Sequence, residues 1–378
     1  MESRTVIAPW LEAVRQQVPG LELFDAHTHI GANDPDGFQQ SAEELIELLH
    51  EAEASGCFVF PMHEPAGYPA ANDLVIEEAQ RSGGLLVPFC RVKPGEGALA
   101  EAERALDRGA AGIKLHPRAE QFTLDHPDVR SLFALADERT LPILIHAGRG
   151  IPALGEHVVA LAHEYANARP ILAHAGISDL AWIWRIAPEH PNLLFDTAWW
   201  QPGDQLALFA LVPPAQILFA SDSPYGTTAV AAACQLRLAL QAGMAPEQIR
   251  LMAAGQARHI ATGQPLAVAG PAPGERDRAG RVLLDRLGDL LQTGMMLALR
   301  AHQGADMLAL ARLACEVPPE IDDAPLFTAI LRLLDAYDAV GSSGQTRRTG
   351  LSLLGLALTI ARTPDVPLPA AVALPDQP

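Results

Sequence analysis

The chain has 378 residues, of which 49% are hydrophobic, and it carries a formal net charge of −18. Such a length and apolar content support a large buried core, as two domains or as one barrel with an appendage, and exclude extensive disorder. The acidic balance argues against a nucleic-acid partner, which needs a basic face, and against an anionic membrane surface.

Cys57, Cys90, Cys234 and Cys315 are scattered, with no Cys-x-x-Cys pair. Free thiols in a reducing compartment are therefore expected rather than a zinc ribbon or a disulfide framework. Residues 1–20 carry charges throughout and lack the apolar core of a secretory signal. The longest apolar runs, such as residues 351–361, are too short to span a bilayer. A cytoplasmic protein acting on a small molecule is the default expectation.

Residues 8–18 read as a short helix, with Pro9 in its first turn. The first strand begins at residues 21–24 and ends at His27 and His29. Side chains at i and i+2 share one face of a strand, so the two imidazoles aim at one point, as the first two ligands of a metal ion must. Ser41-Ala42-Glu43-Glu44 is a capping box that opens a helix. A rhythm of short apolar strands and helices follows. Strands are predicted at 57–60, 85–89, 112–115, 142–145, 170–173, 193–196 and 217–220, with helices between them. The segments beginning at Pro142 and Pro170 differ at one position of seven, which suggests an internal repeat or two solutions to one geometric problem. Eight such units predict an α/β fold, a (β/α)8 TIM-type barrel. An open doubly wound sheet is disfavoured because no Gly-rich phosphate loop follows the first strand.

Near Gly263 the composition shifts to Pro, Gly and Ala. The boundaries drawn are a barrel over 1–265, a linker over 266–280, a small all-α helical bundle over 281–363 and a loose tail over 364–378. Packing is the expected role of the leucines of the bundle, with a homo-oligomer contact as the functional alternative.

Polar residues gather at the strand ends. His146 is expected to point inward with Leu144, His174 with Leu172, and Asp222 with Ala220 and Leu218. Lys114 and His116 share the inward side of the fourth strand. A lysine inside a barrel is costly unless paired or modified. Several such groups at one rim point to a metal site. Neutral imidazoles with a carboxylate suit zinc, with manganese or iron as alternatives. A divalent ion lowers the pKa of its bound water toward about 7. His63, Glu64, Arg91, His116 and Arg149 are candidates for binding a substrate or its carboxylate, with a loop salt bridge as the equal alternative for His63, Glu64, Arg91 and Arg149. Trp199 and Trp200 would wall the pocket or pack under a helix, and Asp196 reads as structural.

Taken together, Asp25-Ala26-His27-Thr28-His29, Gly112-Ile113-Lys114-Leu115-His116-Pro117, Ile145-His146-Ala147-Gly148, Leu172-Ala173-His174-Ala175-Gly176 and Leu218-Phe219-Ala220-Ser221-Asp222-Ser223-Pro224 resemble the amidohydrolase superfamily. The likeness is nearest to the amidohydrolase-related branch that includes aminocarboxymuconate semialdehyde decarboxylase. It covers about residues 20–262 and leaves out the helical bundle. The resemblance implies a metal held by His27, His29, His146 and Asp222, with Asp222 taking a proton from the bound water and passing it on and His174 steadying a developing oxyanion. His174 is then a contact to water or substrate, or, in two-metal members, a ligand beside a carboxylated lysine at the position of Lys114. One ion is favoured and two stay open. The expected reaction is hydrolysis of an amide, ester or lactone in a small molecule, with or without a carboxylate of its own, since a strand-four lysine is more at home among hydrolytic members. Nonoxidative decarboxylation is the alternative, and a non-catalytic scaffold a third reading.

Overall fold

The apolar runs pair as one eight-stranded parallel sheet whose strands neighbour each other in sequence order. The strands are β1 (Leu23–Ile30), β2 (Ala54–Pro61), β3 (Leu86–Arg91), β4 (Gly112–Leu115), β5 (Pro142–Ile145), β6 (Arg169–Leu172), β7 (Leu194–Asp196) and β8 (Ile217–Leu218). The structure, a computed structural model, describes residues 3–95, 97–275, 281–300, 305–340 and 345–370. Ala26 N donates to Phe219 O (2.8 Å), Asp222 N to His27 O (3.0 Å) and His29 N to Ser223 O (2.8 Å). These bonds join the first strand to the segment after the last and close the barrel. Asp25 reinforces the seam, accepting from Ser221 N at 2.9 Å and from Thr228 Oγ1 at 2.7 Å. Helices cover the outside. The one at Ala42–Glu51 carries the expected capping box between Ser41 and Glu44.

Two apolar layers result. Phe24, Phe58, Phe60, Phe89, Leu144, Ile171 and Leu218 fill the barrel interior. Leu23, Ile30, Val59, Ile145, Leu172 and Phe219 face the helices. In β1 the alternation breaks. Phe24 and Ala26 belong to the interior, yet His27, one residue on, packs against the interior Phe60 at 5.1 Å. The cause is an extra residue. Asp25 pairs with Cys57 and Thr28 with Val59, so three steps on β1 oppose two on β2. This bulge turns both Phe24/Ala26 and His27/His29 inward.

The repeat-like segments of β5 and β6 are out of step. Pro142 pairs with Arg169 and Leu144 with Ile171. Leu144 therefore points into the barrel while its sequence counterpart Leu172 points out. The expectation that His174 follows Leu172 inward is wrong. Ile171 and Ala173 are the inward residues of β6, and His174 reaches the rim by a left-handed turn (φ 57° at His174, 59° at Ala175). His146 needs no such turn, because alternation alone puts it beside Leu144.

The C-terminal helices Val282–Leu299, Ala305–Ala314, Ala324–Val340 and Gln345–Arg362 form the expected bundle. It shares one continuous apolar core with the helices around the barrel, so that Leu287, Phe327 and Leu358 belong to the same cluster as Leu236. A latch fixes the contact. Arg237, on the barrel helix Thr228–Ala242, is 1% exposed. It donates to Thr363 Oγ1 (2.8 Å) and to the carbonyls of Thr363 (3.2 Å), Val366 (2.6 Å) and Pro367 (2.6 Å). Residues 364–370, read from sequence as part of a loose tail, are thus tied to the barrel. Residues 371–378 of that tail and 276–280 of the linker lie outside the described residues. Among the described residues no helix is long and apolar enough to cross a membrane.

Candidate metal centre and active site

At the C-terminal rim, β1 and the loop after β8 meet. His27, His29 and Asp222 form a group whose ligand atoms all lie within 4.8 Å of one another. The Nε2 atoms of His27 and His29 are 3.2 Å apart. Asp222 Oδ1 is 3.2 Å from the first and 3.3 Å from the second. Asp222 reaches this point from a left-handed backbone (φ 60°) held by the bond from its N–H to His27 O. Side-chain-bearing residues rarely adopt that conformation, at a cost of about 1–2 kcal/mol each.

Asp196, at the end of β7, sets the orientation. Its Oδ2 lies 2.7 Å from His27 Nδ1, while its Oδ1 accepts from His174 N and Ala198 N, both at 2.9 Å. A carboxylate on Nδ1 fixes the proton there and leaves the Nε2 lone pair facing the rim. Asp196 is therefore a positioning residue for His27, a larger role than the structural one read from sequence. The available signal was its place at a strand end.

Burial sets the charge states. It holds the His27, His29 and His146 imidazoles well below their ordinary range, and so neutral, as ligands must be. His174 is lowered by the same cause. Burial pushes Asp222 well up, the direction that a cation at Oδ1 would reverse. Lys114 is fully buried, with Nζ 3.4 Å from His27 Nε2 and 4.5 Å from the Phe60 ring centre. Desolvation brings its pKa down to about 7.

A divalent ion suits this donor set. Two neutral ring nitrogens in close contact have at most one proton to share between them, and a carboxylate oxygen stands beside both. His27, His29 and Asp222 would hold the ion. His146 stands outside the group. Its Nδ1 is 2.9 Å from His174 Nε2, its ring stacks on His116 at 3.8 Å, and its buried Nε2 has no partner among the described residues. His174 Nδ1 lies 4.0 Å from Asp222 Oδ2. The six strand-end residues His27, His29, Lys114, His146, His174 and Asp222 thus share one rim, in direct contact one to the next.

The weaker candidates separate. Trp199 borders the site, 6.2 Å from His174, and Trp200 leans on it at 5.5 Å. His116 caps the turn at Pro117–Glu120 through Nδ1. Arg91 gives Nη2 to a buried ion pair with Glu120 at 2.5 Å and Nη1 to the Pro61 carbonyl at 3.3 Å, so it does not present a free fork to a substrate carboxylate. Glu64 accepts from Asn33 at 2.7 Å. His63 is partly buried beside Glu120, and Arg149 is exposed in the loop after β5. Sequence reasoning missed Tyr225, whose ring stands edge-on to His29 at 5.8 Å and whose hydroxyl donates to Asp34. It also missed Glu120.

The model of the family described as amidohydrolase matches residues 25–258, which contain all of these groups. The chain belongs to the amidohydrolase family. No curated protein matches the sequence closely enough to be compared with it. Among solved structures, a 2,6-dihydroxybenzoate decarboxylase in complex with 2,6-dihydroxybenzoate is similar at 16% identity and a TM-score of 0.50, over 64% of this chain and 98% of that one. A 5-carboxyvanillate decarboxylase from Sphingomonas paucimobilis is similar at 14% identity and a TM-score of 0.51, over 64% and 99%. A dihydroxybenzoic acid decarboxylase from Polaromonas, with bound manganese and 2-nitroresorcinol, is similar at 15% identity and a TM-score of 0.50, over 64% and 97%. At such identities the likeness speaks for the fold. As an amidohydrolase-family chain it carries a divalent-metal type of site at His27, His29 and Asp222.

Proposed function

We propose that this amidohydrolase-family chain is a metal-dependent enzyme that removes carbon dioxide, without oxidation, from a small carboxylated molecule. Sequence reasoning preferred hydrolysis, on account of Lys114. The observation that carries the revised reading is that the described residues form one three-ligand group rather than two. The imidazoles that a second ion would need, His146 and His174, approach each other at 2.9 Å, but among the described residues no carboxylate or further imidazole joins them in a three-ligand group. The similar structures named above are decarboxylases, which supports the same choice. Zinc suits the donor set, and manganese, which the Polaromonas enzyme holds, is the alternative. His146 is proposed as a fourth ligand because its Nε2 is buried without a partner among the described residues.

When bound, the ion supplies Lewis-acid stabilisation of the negative charge that builds up as carbon dioxide leaves. The chain supplies the rest. The Lys114 ammonium attracts the substrate anion into a site of low dielectric. The carbon–carbon bond to the carboxyl group breaks, its electron pair stays on the substrate carbon, and that carbon then takes a proton. Asp222 Oδ2, beside His174 Nδ1, is the proposed proton donor. Trp199 and Tyr225 limit water at the mouth.

The test is product analysis on metal-loaded protein with a panel of aryl and unsaturated carboxylic acids, alongside amides and lactones. Release of labelled carbon dioxide from a ¹³C-carboxyl group supports the reading. Incorporation of ¹⁸O from water into a cleaved amide or lactone, with no carbon dioxide, would return the assignment to hydrolysis.

A further inference from the structure

Beside the ligand group, on the β2–β4 side of the rim, lies a second polar cluster. Glu120 belongs to the turn that follows β4, and its side chain is 2% exposed. Its Oε1 is crowded: Arg91 Nη2 and Tyr68 Oη each donate to it at 2.5 Å, and His63 Nδ1 stands 3.9 Å away. Its other oxygen, Oε2, is buried without a partner among the described residues, as are Arg91 Nε and His63 Nδ1. An arginine beside a carboxylate ordinarily closes a two-pronged fork. Here a single prong is closed, and one acceptor and one donor of the same ion pair stay open. Buried open groups of this kind are uncommon, because each gives up its bonds to water and receives none in return. The cluster adjoins the reaction centre: Arg91 pairs in register with Lys114 across β3 and β4, and Lys114 contacts His27. His63, the most exposed member at 28%, forms its edge toward solvent.

We propose that Glu120, braced by Arg91 and Tyr68 and flanked by His63, is a specificity-determining contact for a hydroxyl group that the substrate carries away from its reacting carbon. An acceptor and a donor left open together match a hydroxyl, which donates to Glu120 Oε2 and accepts from Arg91 Nε or His63 Nδ1. A second carboxylate is refused, since Glu120 would repel it. This assignment rests on the proposed function for its place in the reaction, but it makes a separate claim about binding.

The experiment is calorimetric titration of the metal-loaded full-length protein with two probe pairs: benzoate against 4-hydroxybenzoate and 3-hydroxybenzoate, and benzamide against 4-hydroxybenzamide and 3-hydroxybenzamide. At least one hydroxyl position is expected to tighten binding by about tenfold or more in both series. The preference for carboxylate over amide reports on the proposed reaction, and the preference for hydroxyl over hydrogen reports on Glu120, so the two fail independently. In Glu120→Gln the hydroxyl preference is expected to fall to about unity while the unhydroxylated probes keep their affinity. Equal binding of hydroxylated and plain probes by the wild type, or no binding of any hydroxylated probe, overturns the assignment and leaves the open pair to water. The wild-type ratio decides even if Glu120→Gln does not fold, and a retained preference in a folded Glu120→Gln protein overturns the assignment equally.

Discussion

Replacing Arg237 with methionine keeps the length of the side chain and removes its charge and donors. Three carbonyls, those of Thr363, Val366 and Pro367, then lose a partner at once. The first two of these bonds are fully buried and the Pro367 one is partly so. At about 1–3 kcal/mol for each buried acceptor left open, and less where water can enter, the expected loss is about 3–5 kcal/mol. Burial brings the Arg237 pKa down only to about 10, so the guanidinium is charged at neutral pH and the contact is charge-assisted throughout the working range. For a chain of this size such a loss corresponds to a fall in Tm on the order of 4–6 °C. Differential scanning calorimetry on the full chain reads it directly, and limited proteolysis should cut first within residues 363–370. Removal of residues 270–378 takes away the same acceptors and strips the cover from the helix Thr228–Ala242, so an insoluble product is expected, contrary to the separable bundle that the linker suggests. A melting point within about 2 °C of wild type, or a soluble and cooperatively folding truncation, would refute the latch.

Three further outcomes are expected. His27→Ala and His29→Ala should retain less than about a tenth of an equivalent of metal by plasma mass spectrometry. Asp196→Asn should weaken retention by about 10–100-fold, and His146→Ala tests the fourth ligand; full retention in all four would remove the ligand assignment. Gly148→Ala builds a Cβ 2.4 Å from His146 Nε2. It should displace that ring and cut turnover by about tenfold or more with little change in Tm, whereas unchanged turnover would take His146 out of the site. Asp25 has its pKa raised to about 6 by burial. A carboxyl that binds its proton more tightly when folded stabilises fully below the ordinary carboxylate range, and that contribution is lost as pH rises through about 6. The stability difference between wild type and Asp25→Asn should therefore shift in favour of Asn by roughly 2 kcal/mol between pH 4 and 7 in urea titrations; a flat difference would contradict the burial argument.

The barrel was legible because each strand is a short apolar run closed by a polar residue, and a period-2 reading suffices when the strand is regular. His27 and His29 were legible for the same reason, since their spacing survives the bulge. The bulge itself was not, because alternation within Phe24-Asp25-Ala26-His27 gives no sign of an extra residue; only pairing against β2 reveals it. The inward turn of His174 was misread because β5 and β6 share a sequence but not a register, and register belongs to the neighbour as much as to the strand. Lys114 was found because a cation in an apolar run is conspicuous. Glu120 was not, for a glutamate in a polar loop looks like any solvated one until Arg91 and Tyr68 close around it. The docking of the bundle depends on Arg237, an ordinary helical arginine in sequence, whose partners lie more than a hundred residues away.

His174 and Asp222 both hold left-handed backbone angles, in a region that glycine alone enters without steric penalty. The amino acid that would best suit the chain conformation at these two points is therefore one that performs no proton transfer at all. Under the proposed function, heat tolerance and turnover pull against each other at the very residues that close the rim. A population selected only for surviving high temperature would drift toward an inert barrel, and engineering for robustness must hold these two positions fixed and seek its gains in the shell and the bundle.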